Sequence, residues 1–109
     1  MAEVENFMNL DIRVGKIAEV EFFAQANKAA YKLWIDFGAE IGTKKSSAQI
    51  TDLYTEEELR GKQILGVVNF PSKQIADFMS EVLVLGVYAK EGVVLITPDK
   101  EVEIGDELG

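Results

Sequence analysis

Few kinds of reactive side chain are available. The 109-residue chain contains no histidine and no cysteine. Imidazole acid–base chemistry, thiolate nucleophiles, thiolate zinc sites and disulfides are therefore all excluded. Carboxylates, hydroxyls and basic groups remain. Glu56, Glu57 and Glu58 form a run, and Asp99, Glu101, Glu103, Asp106 and Glu107 crowd the tail. Carboxylates act as acid–base pairs or metal ligands when they face each other across a cleft. Nothing in this spacing sets up such a pair. Thr55 three residues before Glu58 reads instead as a capping box, with acids at the positive end of a helix dipole. These residues point to binding without bond-making: no enzyme, no metal and no cofactor is expected.

The candidate binding groups are bases and exposed apolar residues. Lys28, Lys32, Lys44 and Lys45 stand against Asp36 and Glu40 between residues 22 and 50. Arg60, Lys62 and Lys73 lie in 59–76 with no acid among them, although the formal net charge is −8. The plain reading is a solvated surface of mixed sign. The sharper one is a basic face on an acidic body, able to follow a phosphate backbone or attract an acidic partner. Tyr31 or Trp34 could stack on a base, and Trp34 falls on the polar side of its strand. Phe70, Ile75, Phe78 and Met79 sit in the connection between two apolar runs, 63–70 and 82–87. They suit a pocket for the apolar side chains of an extended peptide, methionine adapting to varied shapes. Ordinary packing is the competing reading for each.

The runs that must hold these groups read as strands. Residues 12–23 alternate over a long stretch, with Ile12, Val14, Lys16, Ala18, Val20 and Phe22 on one face. Gly15 inside the stretch suggests a bend. Residues 31–37 alternate cleanly and stop at Gly38, and 45–51 give a weaker, serine-rich strand. One helical turn follows, ended by Gly61. The runs at 63–70 and 82–87 supply two strands joined by a loop, because Asn69 and Pro71 interrupt the ladder. A short strand at 92–97 comes next, then an acidic tail that keeps Val102, Ile104 and Leu108 and so should pack. Residues 2–10 form a helical turn too short to be stable undocked. The fold class expected is all-β: a five-stranded, partly open oligonucleotide/oligosaccharide-binding (OB-fold) barrel, with a short helix between strands three and four. An N-terminal helical turn and C-terminal strand extensions complete it.

Length and composition fit one domain over 1–109, with an apolar fraction of 48% that argues against disorder. The N-terminus carries acids where a secretion signal would carry bases, and no apolar run approaches the length of a membrane span. A cytoplasmic protein with no membrane insertion is expected.

Several blocks carry a family likeness. Asp11-Ile12-Arg13-Val14-Gly15-Lys16-Ile17, Ile35-Asp36-Phe37-Gly38, Ser46-Ser47-Ala48-Gln49-Ile50-Thr51, Val67-Val68-Asn69-Phe70-Pro71 and Ser80-Glu81-Val82-Leu83-Val84-Leu85-Gly86 resemble the tRNA-binding-domain family. Within it they resemble most the CsaA-type protein-export chaperones. The likeness implies an OB-fold homodimer, with 1–10 and 91–109 in the dimer contact. It implies unfolded preproteins and the export ATPase SecA as partners; Phe70, Ile75, Phe78 and Met79, read above from their apolar character, are the expected peptide-binding set. For the tRNA-binding relatives it implies contacts from Lys32, Asn69 and Ser80, and the base Lys73 joins them as a tRNA-binding candidate. Val82-Leu83 stands where those relatives carry Gly-Met, and Ala48-Gln49 where they carry Ser-Gly. Both departures favour an apolar ligand over tRNA.

Overall fold

The computed structural model describes all 109 residues. In chain order the elements are α1 (Val4–Met8), β1 (Ile12–Phe22), β2 (Tyr31–Asp36), β3 (Thr43–Ala48), α2 (Glu56–Leu59) and β4 (Gln63–Val67). Then follow β5 (Lys73–Ile75), β6 (Phe78–Ser80), β7 (Leu83–Val84), β8 (Gly86–Ala89) and β9 (Gly92–Leu95). The main sheet runs β3-β2-β1-β4-β7 with every pair antiparallel. It curls into the nearly closed five-stranded OB barrel that the pattern of runs predicts.

β1 serves two walls. Its first half, Ile12 to Lys16, pairs with β4, and its second half, Lys16 to Phe22, pairs with β2. A register shift between Ile17 and Glu19 marks a bulge. The bend expected at Gly15 therefore falls at Ala18, and the bulge reverses which side chains point inward. Before it, Gly15 and Ile17 face the barrel interior; after it, Val20 does. Ile12 and Val14 point the other way, into a small separate core with Leu65 and Val67. The single alternating face expected along this strand is thus two half-faces.

Gly15 matters for space. A Cβ there would stand 2.5 Å from Ile35 Cγ2 and 2.7 Å from Phe37 Cε1. One at Gly66 would stand 2.7 Å from Val82. Phe37, fully buried, fills the barrel between these two glycines. The main core continues through Leu33, Ile35, Leu59 and Ile64, all at 0% exposure, where interdigitation leaves no slack.

Two tyrosines tie α2 and the later strands to this core. Tyr31 Oη donates to Tyr54 O at 2.8 Å, and Tyr54 Oη accepts from Leu95 N at 3.0 Å. Burial first, and then Glu56 and Glu58, push the Tyr31 hydroxyl's pKa up. The tail docks on β1, but through its backbone rather than its apolar side chains, since Val102 and Leu108 stay exposed. Val14 N donates to Asp106 O, Gly105 N to Val14 O and Leu108 N to Ile12 O, at 2.9, 2.7 and 2.9 Å. Arg13 clamps it, reaching Asp11 at 2.6 Å, Glu107 at 3.4 Å and Gly105 O at 3.0 Å. The hydrogen bond to Asp11, strengthened by its charge, raises the Arg13 pKa.

The helix start follows the capping-box pattern. Thr55 N donates to Glu58 Oε1 at 2.9 Å, and Glu58 N donates to Thr55 Oγ1 at 3.2 Å. The bond from Thr55 N first, and then one from Thr55 Oγ1 to the same oxygen at 3.1 Å, hold the Glu58 carboxyl below its ordinary 4.5, with Lys62 adding to them. A depressed pKa means the folded state favours the charged form. The contribution is complete above the ordinary value and is lost as pH falls through the lowered one. The Glu58 carbon titration followed by NMR should show a midpoint below 4.5 that returns toward it in Thr55→Ala. Gly15→Ala should lower unfolding stability by about 1–3 kcal/mol in a denaturant titration, since Ile35 and Phe37 must move aside.

Candidate functional site

Strand β3 has one edge on β2 and turns its other toward the 80–84 segment. In an antiparallel series of this order, β3 and β7 run parallel to each other. They are joined by side chains as much as by backbone. Lys45 N donates to Glu81 Oε1 at 3.0 Å, and Glu81 N donates to Lys45 O at 2.7 Å. Ser46 Oγ donates to Val82 O at 2.7 Å, and Ser47 N to Ser80 Oγ at 3.0 Å. The serine-rich weakness of this strand thus has a cause: short hydroxyls close a seam that a ladder leaves incomplete. Ser46 is the only buried polar residue, at 1% exposure.

Beyond Ser47 the seam opens. A groove of about 540 Å³ lies between Ser47–Ile50 on one lip and Leu83–Gly86 on the other, with Val93 and Tyr88 at its end. A second hollow of about 300 Å³ adjoins it, walled by Phe70, Pro71, Lys73, Ile75 and Ser80. Ser47, Gln49, Lys73 and Leu83 line both, so they form one continuous trough. Such volumes are those of ordinary ligand sites. Lys73 and Glu81 are the only charges in its lining, and Glu81 is engaged by Lys45 N.

The connection expected as a loop is a hairpin. Lys73↔Ser80, Gln74↔Met79 and Ile75↔Phe78 pair across a two-residue turn in which Ala76 takes φ 53°. Strand alternation separates the apolar residues grouped together in the sequence reading. Ile75 and Phe78 point toward the barrel and Met79 points away with Gln74. Phe70 is 43% exposed and Ile75 half-buried, and both wall the trough. Phe78, at 6%, lies beneath the hairpin in a third small core with Phe23 and Ala30. Met79 is exposed on the hairpin's outer side and lines neither hollow. Phe78 crosses Phe23 and Trp34 edge-on at 5.5 and 5.8 Å.

The tRNA-type candidates also separate. Lys32 is not a free surface base. Its side chain is 14% exposed, with Nζ 4.8 Å from the Phe23 ring centroid, 5.3 Å from that of Phe78 and 4.0 Å from Glu21. Lys45 Nζ approaches the same Phe78 ring at 5.4 Å. These contacts hold the hairpin by cation–π attraction. Asn69 has both ends of its amide occupied, accepting from Asp11 N and donating to Asn9 O, each at 2.9 Å. It pins the N-terminal segment. Ser80 is in the seam, and Lys73 alone of the four is exposed in the trough. Gln49 and Leu83 were not singled out as candidates in the sequence. Their signal is an apolar, low-charge strand whose outward residue is a leucine at 51% exposure.

Residues 12–107 match the family model of the tRNA binding domain. The chain belongs to the tRNA-binding-domain family. It is similar over its full length to two solved chaperones. It is 55% identical to the CsaA chaperone protein of Picrophilus torridus, with a TM-score of 0.96 and 100% of each chain covered. To chaperone CsaA of Bacillus anthracis it is 49% identical, with a TM-score of 0.93 and 100% and 99% covered. Among curated sequences it is 38% identical over 104 residues to the methionine–tRNA ligase of Pyrococcus horikoshii, a match covering 95% of this chain and 14% of the ligase. The chain thus spans about a seventh of the length of that relative, whose catalytic part lies outside the match. No helix is long and apolar enough to cross a membrane.

Ser46→Ala should cost about 1–3 kcal/mol in denaturant unfolding, because the buried Val82 carbonyl loses its donor. A Ser46→Cys variant, of similar size but a weak donor, should fall between alanine and the parent.

Proposed function

We propose that this chain is a chaperone-like binding protein that holds unfolded preproteins for export, as a cytoplasmic homodimer of OB barrels. The observation that carries the reading is the continuous trough along the open seam, where Ala48 and Ile50 on one wall and Leu83, Val84 and Leu85 on the other stand among serines and Gln49, with one exposed base, Lys73. An unfolded precursor presents a basic segment followed by an apolar one. A molecule of net charge −8 attracts the first, and the trough suits the second. The dimer is supported by α1, whose Val4, Phe7 and Met8 are 75, 41 and 70% exposed. A five-residue helix with no buried residue needs a second surface to cover it. Delivery to SecA belongs to the same proposal and rests on the likeness to export chaperones.

The second reading is a tRNA-binding protein recognising shape and phosphates. Family membership supports it, and so does the outer face of β2 and β3, where Lys32, Trp34 and Lys45 stand together. Two facts weigh against it: Lys32 and Asn69 are occupied internally, and the molecule repels polyanions at long range.

Fluorescence anisotropy of a labelled unfolded precursor segment, beside labelled tRNA, separates the readings. The precursor should bind, and Phe70→Ala, at an exposed position, should weaken it about tenfold through lost apolar contact. Unchanged affinity in that variant would remove the trough from the mechanism. Tight tRNA binding that falls steeply with salt and drops in Lys73→Ala would favour the second reading.

A further inference from the structure

The trough's two lips are strand edges with unpaired backbone, and this says how a guest would be held. On β3, Lys45 and Ser47 direct their backbone groups to the seam, as their bonds to Glu81 and Ser80 show. Alternation turns Gln49 the same way, and neither the N–H nor the C=O of Gln49 has a partner in the protein. On the opposite lip, Val82 O accepts from Ser46 on the seam side, while Leu85 N donates to Leu65 O on the β4 side. Val84, of the same parity as Val82, therefore also faces the gap. The floor between the lips is Ala48 and Ile50, buried at 9% and 4%, with Val84 and Val93 packed beside them.

We infer that the gap between β3 and β7 accepts an extended polypeptide segment as an inserted strand, bonded through its backbone to both lips. This deepens the peptide-binding reading above and rests on it. Because the lips are parallel to each other, one guest orientation is antiparallel to both at once, the arrangement with the better-aligned hydrogen bonds. Main-chain bonding gives affinity without sequence demands, and alternate side chains supply the remainder. Those pointing inward meet the apolar floor, and the next along reaches the hollow beside Phe70 and Ile75. A nucleic-acid strand fits the gap poorly. Lys73 is the only base in the larger groove, too few for a phosphate backbone, and strand edges offer nothing specific to a base.

The test uses the full chain and a fluorescein-labelled peptide alternating valine and serine. Two further peptides carry N-methyl groups on alternate residues, one set for each edge of the strand, which deletes the donors as proline would. Binding should weaken roughly tenfold or more with either set. Amide hydrogen exchange at Gln49 and Val84 should slow when the unmodified peptide is added. Binding indifferent to methylation overturns the inserted strand while leaving peptide binding standing. Loss with only one set would show pairing to a single lip and also overturn it. Absence of binding by the unmodified peptide overturns both readings. Protection of Gln49 and Val84 without peptide, rising with protein concentration, would assign the gap to a second copy and overturn the inference.

Discussion

The buried hydroxyl of Ser46, donating to the Val82 carbonyl, is the constraint on which the rest of this molecule depends. A five-stranded barrel must join its first and last strands, and here the join is made by serines, one glutamate and a single backbone bond. Full ladder pairing would have sealed the wall and removed any edge. Packing alone, without the serine, would leave a carbonyl in the core without a partner. The half-zipped seam keeps the barrel shut over Phe37 at one end and parted over Ala48 and Ile50 at the other. Rigidity and openness come from the same few bonds.

Around the seam, three separate apolar cores divide the labour. The main one closes the barrel, the second fixes the outer face of β1 and β4, and the third anchors the hairpin. The third is unusual in composition. Phe78 is inserted among Phe23 and Trp34, with two lysine ammoniums over its ring. Basic residues that look available for a ligand thereby brace the wall of the trough. The hairpin's own turn places Ala76 in the left-handed region, which costs about 1–2 kcal/mol for a residue with a Cβ. That cost is tolerable because Phe78 and Ser80 hold the returning strand from below.

Much of the architecture was legible because it rests on local pattern. The clean alternation of residues 31–37 and the Thr55–Glu58 capping box are short-range signals, and both elements formed where they were expected. What escaped was long-range or sterically unusual. Nothing near Ala18 marks a bulge, since the shift is forced by β1 having to join two walls. Ala76-Asp77 lacks the glycine or asparagine that announces a tight turn, so a hairpin reads as a loop. Of the site, the apolar character of the segment at 70–80 was visible, while its partition was not. Phe78 is buried only because Phe23, far away in sequence, comes to meet it. Asn69 is committed to residues 9 and 11, a bond between positions with no sequence relation.

One guanidinium has a topological effect. Arg13 touches Asp11 on one side and Glu107 on the other, and Leu108 N reaches Ile12 O. The residues entering β1 and the tail are thereby held side by side, so that unfastening either loosens the other.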